Sequence, residues 1–182
     1  MTRAFVRAAV LIAAGAVAGC GENPTSPTAN QTPFVGQFAG TFSGSTVPVR
    51  VSGGECVGND LRNSIATPDQ GTVSITQKDT DVSATIRSSS TGLTCQYNGS
   101  GSFTSFAATA VSCDSEILFR CSTGQPRILR PVGSTLTATQ TGLTATGTVT
   151  TSYNVFFLNP QTNQEEPVAG LTVESDFNAV RR

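Results

Sequence analysis

The sequence predicts an all-β domain that folds as a closed antiparallel barrel of about eight to ten strands, with a β-sandwich as the alternative. Apolar residues alternate with serine and threonine in most segments after residue 33, which is typical of strands with one buried face. Short turn sequences separate these segments. Charged residues make up 13% of the chain, against about 25% in an average domain, and threonine, serine and glycine take their place. This composition favours strands over helices.

The individual strands follow from the alternation. Each segment places apolar side chains on one face and mostly hydroxyl groups on the other, which predicts half-buried strands around a common interior. In chain order, the apolar faces consist of Phe34, Phe38 and Phe42; Val47, Val49 and Val51; Val73 and Ile75; Val82, Ala84 and Ile86; Leu143, Ala145, Gly147, Val149, Tyr153, Val155 and Phe157; and Leu171, Val173 and Phe177.

Two segments depart from the simple pattern. The alternation from Leu143 to Phe157 would span about 50 Å as a single strand at ~3.3 Å per residue, so Gly147 is a candidate for a bend within it. The region from Val57 to Gln70 shows no alternation, and we expect a long loop there with one short helical turn.

The first predicted strand resembles that of lipocalin-like small barrels. Residues 34–44 read FVGQFAGTFSG, which is similar to the G-x-W-x-G pattern of such strands, with Phe38 or Phe42 in the position of the tryptophan. The resemblance implies a closed barrel, for which we expect the domain boundaries 34–178.

The N-terminal residues resemble the type II signal peptide of bacterial lipoproteins. Arg3 and Arg7 precede an apolar run from Ala8 to Ala18, which is shorter than the ~20 residues that a transmembrane helix needs. The run ends in Val17-Ala18-Gly19-Cys20, which is similar to a lipobox: an aliphatic residue, two small residues and a cysteine. The alternative is an ordinary secretory leader with a chance cysteine.

The resemblance implies removal of residues 1–19 and attachment of a diacylglyceryl thioether to Cys20. Two or three acyl chains such as palmitate give stable anchoring, because each buried methylene contributes about 0.8 kcal/mol. Residues 20–33, rich in proline and hydroxyl groups, would form a lipidated flexible tether. In a Gram-negative host, Gly21 in place of the aspartate of retained lipoproteins is compatible with an outer-membrane protein that faces the periplasm.

The remaining cysteines are Cys56, Cys95, Cys113 and Cys121. An even number of cysteines in an exported domain predicts two disulfides, for which three pairings exist. The short spacing of Cys113 and Cys121 favours a local bridge, which would leave Cys56 to pair with Cys95. Zinc binding is the rival interpretation, but the closely spaced ligand pairs and the histidines of zinc sites are absent.

The charge balance and the absence of histidine exclude several function classes. Loss of Arg3 and Arg7 with the leader would leave nine basic and twelve acidic residues, a net charge of −3. This balance gives no basic face for nucleic acid. Without histidine the chain has neither a Ser-His-Asp nor a Cys-His arrangement, and we expect no metal and no cofactor.

The other candidate reactive groups lie in predicted turns and loops. Lys78, the only lysine, precedes a turn with Asp79 and Asp81, where we expect solvated side chains and backbone capping; catalysis or calcium binding is the alternative. Glu165 and Glu166 lie in a predicted polar loop, without the aromatic cleft of hydrolases that use paired carboxylates. We therefore predict no catalytic residue.

Together these observations predict a lipid-anchored, non-enzymatic lipoprotein of the cell envelope. The barrel would bind a small apolar ligand or serve as a structural or protein-interaction module, and a hydrolase is a third alternative. A large apolar cavity would favour the ligand, whereas a packed interior with an exposed apolar patch or strand edge would favour the interaction module. The aromatic residues that would line a ligand site are Phe34, Phe38, Phe42, Phe103, Phe106, Tyr153 and Phe157.

Overall fold

The computed structural model describes residues 40–65, 71–102 and 104–182, which form nine β-strands and one α-helix. The predicted signal peptide and tether lie outside the described residues, and so do Phe34, Phe38 and Phe103. The elements are β1 (Gly40–Gly53), α1 (Glu55–Ser64), β2 (Gly71–Lys78), β3 (Asp81–Arg87), β4 (Thr94–Gly101), β5 (Ser105–Cys113), β6 (Ile117–Arg120), β7 (Pro126–Thr141), β8 (Thr144–Leu158) and β9 (Glu165–Arg181).

Eight of the strands close an antiparallel barrel. Strands β1 to β5 pair in chain order, β5 pairs with β7, β7 with β8, and β8 with β9, which returns to β1. Strand β6 lies outside this ring and pairs with β7. The predicted closed barrel is confirmed, and the sandwich alternative is wrong because one sheet closes on itself. Since β9 runs to Arg181, the barrel extends past the predicted boundary at residue 178.

The two ends of the barrel differ. The lower end carries the tight turns at residues 79–80 and 142–143. Towards the upper end, β1 pairs only with β9 beyond Thr46, and β7 pairs with β5 only from Thr135 onward. The upper parts of β7, β8, β9 and β1 therefore continue above the barrel and form, with β6, an open sheet of five strands. We call this region the upper sheet.

Helix α1 connects β1 to β2 at the upper end. It follows a sharp reversal in which Gly53, Gly54 and Glu55 all have positive φ (74°, 80° and 48°), a conformation that glycine adopts without steric cost. The helix buries Val57 and Leu61. The expectation of a single helical turn is wrong, because the helix has ten residues. Two large buried apolar side chains give too weak a periodicity to detect.

The alternation predicted the buried faces of most strands. Strands β2 and β3 show strict alternation of buried and exposed residues, as expected when one face of a strand lines the interior. The predicted apolar positions that the structure buries include Val73, Ile75, Val82, Ala84, Ile86, Ala145, Val149, Tyr153, Val155, Leu171, Val173 and Phe177.

The second predicted segment is an exception, because β1 contains a β-bulge. The pairing of β1 with β9 shifts between Pro48 and Arg50. The extra residue reverses the alternation, as bulges do. Below the bulge Thr46 and Pro48 are buried, whereas Val49 is 40% exposed. Of the three valines expected on the inner face, Val51 alone is fully buried.

The long alternation after residue 143 forms a single strand, β8, of 15 residues. Leu143 itself lies in the turn before the strand and is exposed. A β-carbon on Gly147 would collide with the carbonyl oxygen of Thr137 in β7, so the glycine permits the close approach of these two strands.

Both predicted disulfides form, but the favoured pairing is wrong. Cys56 of α1 is bonded to Cys121 after β6, and Cys95 of β4 is bonded to Cys113 of β5. Cys95 and Cys113 stand opposite each other on neighbouring strands, with their Cα atoms 4.0 Å apart. Cys113 is therefore paired across the sheet, and the local bridge to Cys121 does not form.

Candidate functional site

The barrel interior contains a group of hydroxyl side chains. The hydroxyl of Tyr97 on β4 lies 2.7 Å from Oγ of Ser134 on β7, and Ser134 Oγ lies 2.7 Å from Oγ1 of Thr151 on β8. The Ser134 hydroxyl also donates to the carbonyl of Thr150, at 3.2 Å. A second contact, of 3.3 Å, joins the hydroxyl of Tyr153 on β8 to Oγ1 of Thr91. We call Thr91, Tyr97, Ser134, Thr151 and Tyr153 the hydroxyl cluster.

Sequence reasoning missed this cluster for two physical reasons. Ser134 continues the inward alternation of Leu136 and Ala138, but it has no apolar side chain, and the bulge between Pro131 and Gly133 ends the alternation just before it. Thr151 was detectable, since it occupies an inward position between Val149 and Tyr153. The abundance of threonine on outer faces made one inward threonine inconspicuous.

The cluster borders a cavity of about 20 Å³. This volume is close to the space that one or two water molecules need. Sites for small organic ligands occupy roughly 300 to 1,000 Å³. The cavity that these residues enclose therefore has no room for an apolar ligand of that size. Its lining combines apolar side chains such as Ile86 and Val173 with the hydroxyls of the two tyrosines.

Burial raises the pKa of both tyrosines of the cluster above its ordinary value. Burial raises the pKa of Tyr153 to about 12, and the hydrogen bond with Thr91 offsets part of that rise. Burial also raises the pKa of Tyr97, against the opposing effect of its hydrogen bonds to Ser134 and Thr151. A phenol with a raised pKa is a poor proton acceptor and nucleophile near neutral pH. The geometry suits a structural hydrogen-bond network.

Three of the aromatic residues expected to line a ligand site instead fill the core, and Phe34, Phe38 and Phe103 lie outside the described residues. Phe42, Phe106 and Tyr153 are each at most 4% exposed and pack in one continuous apolar cluster. Phe157 lies in the upper sheet, half-buried, with the guanidinium of Arg127 5.0 Å from the centre of its ring. The interior around these side chains is packed, as protein cores usually are.

The candidate reactive groups do not converge. Lys78 ends β2 opposite Asp81, both exposed, and Asp79 lies between them with a φ of 55°. Glu165 is the first residue of β9 and does not lie in the predicted loop. Its carboxylate forms an ion pair with the guanidinium of Arg130 at 2.8 Å. Among the described residues, no three acidic or cysteine side chains are grouped closely enough to hold a metal ion.

Two buried glutamines occupy matching positions at the lower end. Gln77 and Gln140 each lie two residues before a tight turn, and both are at most 8% exposed. The amide nitrogen of Gln77 donates to the carbonyls of Asp79 and Ser102, at 3.3 Å each. Within the described part of the chain, neither Oε1 atom has a hydrogen-bond partner.

The outer face of the upper sheet carries a row of apolar side chains. Leu118, Ile128, Phe156 and Pro167 stand opposite one another on β6, β7, β8 and β9. Leu118 is 70% exposed, whereas Ile128 between its neighbours is buried. We call these four residues the outer row.

A basic side chain crosses the outer row. The guanidinium of Arg130 lies 4.9 Å from the ring centre of Phe156 and pairs with Glu116 at 3.1 Å and with Glu165 at 2.8 Å. The two carboxylates come from opposite sides of the upper sheet, one just before β6 and one in β9. Arg130 therefore ties the edge of the sheet to its centre.

The barrel seam opens where β5 and β7 diverge. Val111 and Val132 line this notch, each at a position where strand pairing shifts, and both are about 60% exposed. Bulges are common where pairing ends. The notch and the free edge of β6 are thus two surfaces where the sheet is incomplete.

Cys20, the predicted lipidation site, lies outside the described residues. Within the part of the chain that the structure describes, no helix is long and apolar enough to span a membrane. Comparison of the chain with family models, with curated proteins and with solved structures finds no match. A functional proposal therefore depends on the fold and these surfaces.

Proposed function

We propose that this chain is a lipid-anchored, non-enzymatic lipoprotein of the cell envelope whose barrel serves as a structural or protein-interaction module. One observation carries the choice of module: among the described residues the core side chains pack around a cavity of about 20 Å³, while β6 is paired on one side only. An unpaired strand edge is a template for pairing with another chain, which suits an interaction module.

The alternative function, binding of a small apolar ligand inside the barrel, receives no support from a cavity of this size. A hydrolase receives none from the hydroxyl cluster, because its members bond to one another and to backbone groups, without a lysine or carboxylate among their hydrogen-bond partners. The proposal therefore includes no catalytic residue, no cofactor and no metal.

The sequence supports the anchor. The Val17-Ala18-Gly19-Cys20 motif at the end of the apolar run provides the lipidation site. The two disulfides are consistent with export, because such bonds persist in oxidising compartments. In a Gram-negative host, we propose an outer-membrane location that faces the periplasm.

Replacement of the lipidated cysteine tests the anchor. We expect Cys20→Ser to abolish incorporation of labelled palmitate and to move the chain from the membrane to the soluble fraction. Thr25→Ser, a matched change in the predicted tether that leaves the motif intact, should keep both properties. Membrane association of Cys20→Ser, together with an unlabelled parent chain, would refute the anchor.

A further inference from the structure

Strand β6 is the one strand of the described residues that is paired on a single side along its whole length, whereas β1 is paired on a single side only beyond Thr46. It forms antiparallel pairs with β7 from Ile117–Leu129 to Arg120–Pro126. On its other side, β6 forms no backbone hydrogen bond with another described strand. Alternate residues of a strand direct their N–H and C=O groups to opposite sides, so the groups that β6 directs away from β7 have no partner strand among the described residues. The strand reads ILFR and has neither lysine nor proline; its only edge-protecting features are its short length and the charge of Arg120.

The pairing rules restrict what a second β6 strand can do at this edge. Opposite residues of an antiparallel pair must both direct their backbone groups towards the partner, or both away from it. Two identical strands related by a two-fold axis can therefore centre their pairing on a residue but not between two residues. The centres within the strand are Ile117, Leu118, Phe119 and Arg120, and a centre at Arg120 would place two like charges opposite each other.

One of these centres gives complementary side chains. With Leu118 at the axis, Leu118 faces its own counterpart and Glu116 faces Arg120 of the other copy, twice by symmetry. Ile117 then faces Phe119 on the inner side. A centre at Ile117 would place Glu116 against Leu118, and a centre at Phe119 would place Leu118 against Arg120. Opposite charges and apolar pairs across strands are each stabilising, by roughly 0.2 to 1 kcal/mol.

The charged groups are positioned to serve both contacts. Glu116 uses Oε2 for Arg130, which leaves Oε1 to accept from a second guanidinium. Arg120 is exposed and donates one N–H to the carbonyl of Gly124, at 3.2 Å. Its other N–H groups can reach across a strand pair. The 70% exposure of Leu118 would fall on pairing, since the outer row would continue into that of the second copy.

We propose that two copies of this chain associate through antiparallel pairing of their β6 strands, centred on Leu118, so that their upper sheets join into one. The occupant of the edge is thus a second copy of the chain. The contact is short. Its stability rests on the proposed function in one respect, because anchoring to one membrane raises the effective concentration of the two copies.

A symmetric cysteine tests the geometry. Cα atoms of opposite residues lie about 4.5 to 5.5 Å apart, within the range of a disulfide. In the full-length chain in membranes, Leu118→Cys should therefore give a disulfide-linked dimer on mild oxidation. The matched control Val132→Cys, 61% exposed but outside β6, and the unaltered chain should give none. Absence of the Leu118→Cys dimer, an equal yield from the control, or an adduct with a different protein would overturn the proposal.

Membrane fractionation of the same samples separates this proposal from the anchor. An anchored chain that is not cross-linked through residue 118 would overturn the dimer and leave the anchor intact. A soluble chain that is cross-linked through residue 118 would support the dimer and contradict the anchor.

Charge reversal tests the register. Arg120→Glu and Glu116→Arg each place like charges opposite one another in a homodimer, and each should lower the Leu118→Cys dimer yield about fivefold or more. When the two variants are co-expressed with different tags, both opposite pairs become Glu–Arg, and the mixed dimer should return to the parent yield. Failure of the mixed dimer to recover would overturn the proposed register.

Discussion

The closed barrel and the upper sheet share four strands but are stabilised in different ways. In the barrel every strand pairs with a neighbour on each side, so its backbone groups form hydrogen bonds in both directions. Alternate apolar side chains are buried in the common core. The upper sheet has a free edge at β6. It depends on α1, on the Cys56–Cys121 disulfide and on the ion pairs of Arg130. The strands that extend beyond the barrel therefore depend on other elements to cover them.

The two regions also differ in their buried polar groups, which are charged in the upper sheet and neutral in the barrel. Arg127, in the upper sheet, is 7% exposed. Its guanidinium lies 3.5 Å from the carboxylate of Glu55 in α1 and 5.0 Å from the ring centre of Phe157. Its Nε atom has no partner among the described residues. Burial of a charge with incomplete hydrogen bonding is costly. The barrel interior instead holds neutral hydroxyls that bond to one another.

The largest expected effect comes from the disulfide that ties the upper sheet to α1. We expect Cys56→Ala with Cys121→Ala to lower the free energy of unfolding by about 4 kcal/mol, because the bond closes a loop of 65 residues. Cys95→Ala with Cys113→Ala, which opens a loop of 18 residues inside the barrel, should cost about 3 kcal/mol. Urea unfolding gives both values.

Hydrogen exchange locates these effects. Loss of the Cys56–Cys121 bond should lower protection of the amides in the upper sheet before those of β2 and β3. Equal loss of protection in both regions would show that they unfold as one unit, and the comparison between them would fail.

A matched pair of leucines on one strand tests the packing of the two regions. Leu136 lies in the barrel and Leu129 in the upper sheet of β7, and both are fully buried. Leucine-to-alanine changes in cores cost about 2 to 5 kcal/mol, less where the surroundings can collapse into the cavity. We expect about 3 kcal/mol or more for Leu136→Ala and about 2 kcal/mol for Leu129→Ala, as measured by urea unfolding. A larger cost for Leu129→Ala would mean that the upper sheet is the more rigid region.

The sequence predicted the barrel better than the upper sheet, for a physical reason. Period-two alternation indicates a strand with one buried face. Strands β2, β3 and the lower part of β9 are of this kind. It fails at the bulge of β1, which shifts the face at Val49, and at Ser134, whose inward position carries a hydroxyl in place of an apolar side chain. It also fails for α1, whose short apolar face is stabilised by tertiary contacts.

The candidate sites were predictable to different degrees. Two disulfides followed from the even cysteine count, but spacing along the chain does not report which residues stand opposite each other on neighbouring strands. Cys95 and Cys113 are such a pair. The free edge of β6 depends on the point at which β7 leaves β5, and a single sequence does not encode that point in any local pattern.

The expected pH effect of the hydroxyl cluster is absent at neutral pH and appears only in alkaline solution. Burial raises the pKa of Tyr153 from 10.0 to about 12. Between these values the unfolded chain loses the phenolic proton and the folded chain retains it, so stability falls as the pH rises. The loss should reach roughly 2 to 3 kcal/mol once the pH passes the pKa of the folded state. Below pH 10 the tyrosine should contribute no slope.

Tyr153→Phe separates this titration from other alkaline effects. The variant loses one buried hydrogen bond to Thr91, which should cost about 1 kcal/mol at neutral pH. Its stability should then decline less steeply above pH 10 than that of the parent, and Tyr97 would account for part of the remaining slope because burial raises its pKa too. Parallel curves for parent and variant, from urea unfolding across this range, would show that Tyr153 ionises as readily in the folded barrel as in the unfolded chain. In that case burial does not raise the pKa of Tyr153, and the barrel interior would be no less polar around this hydroxyl than water.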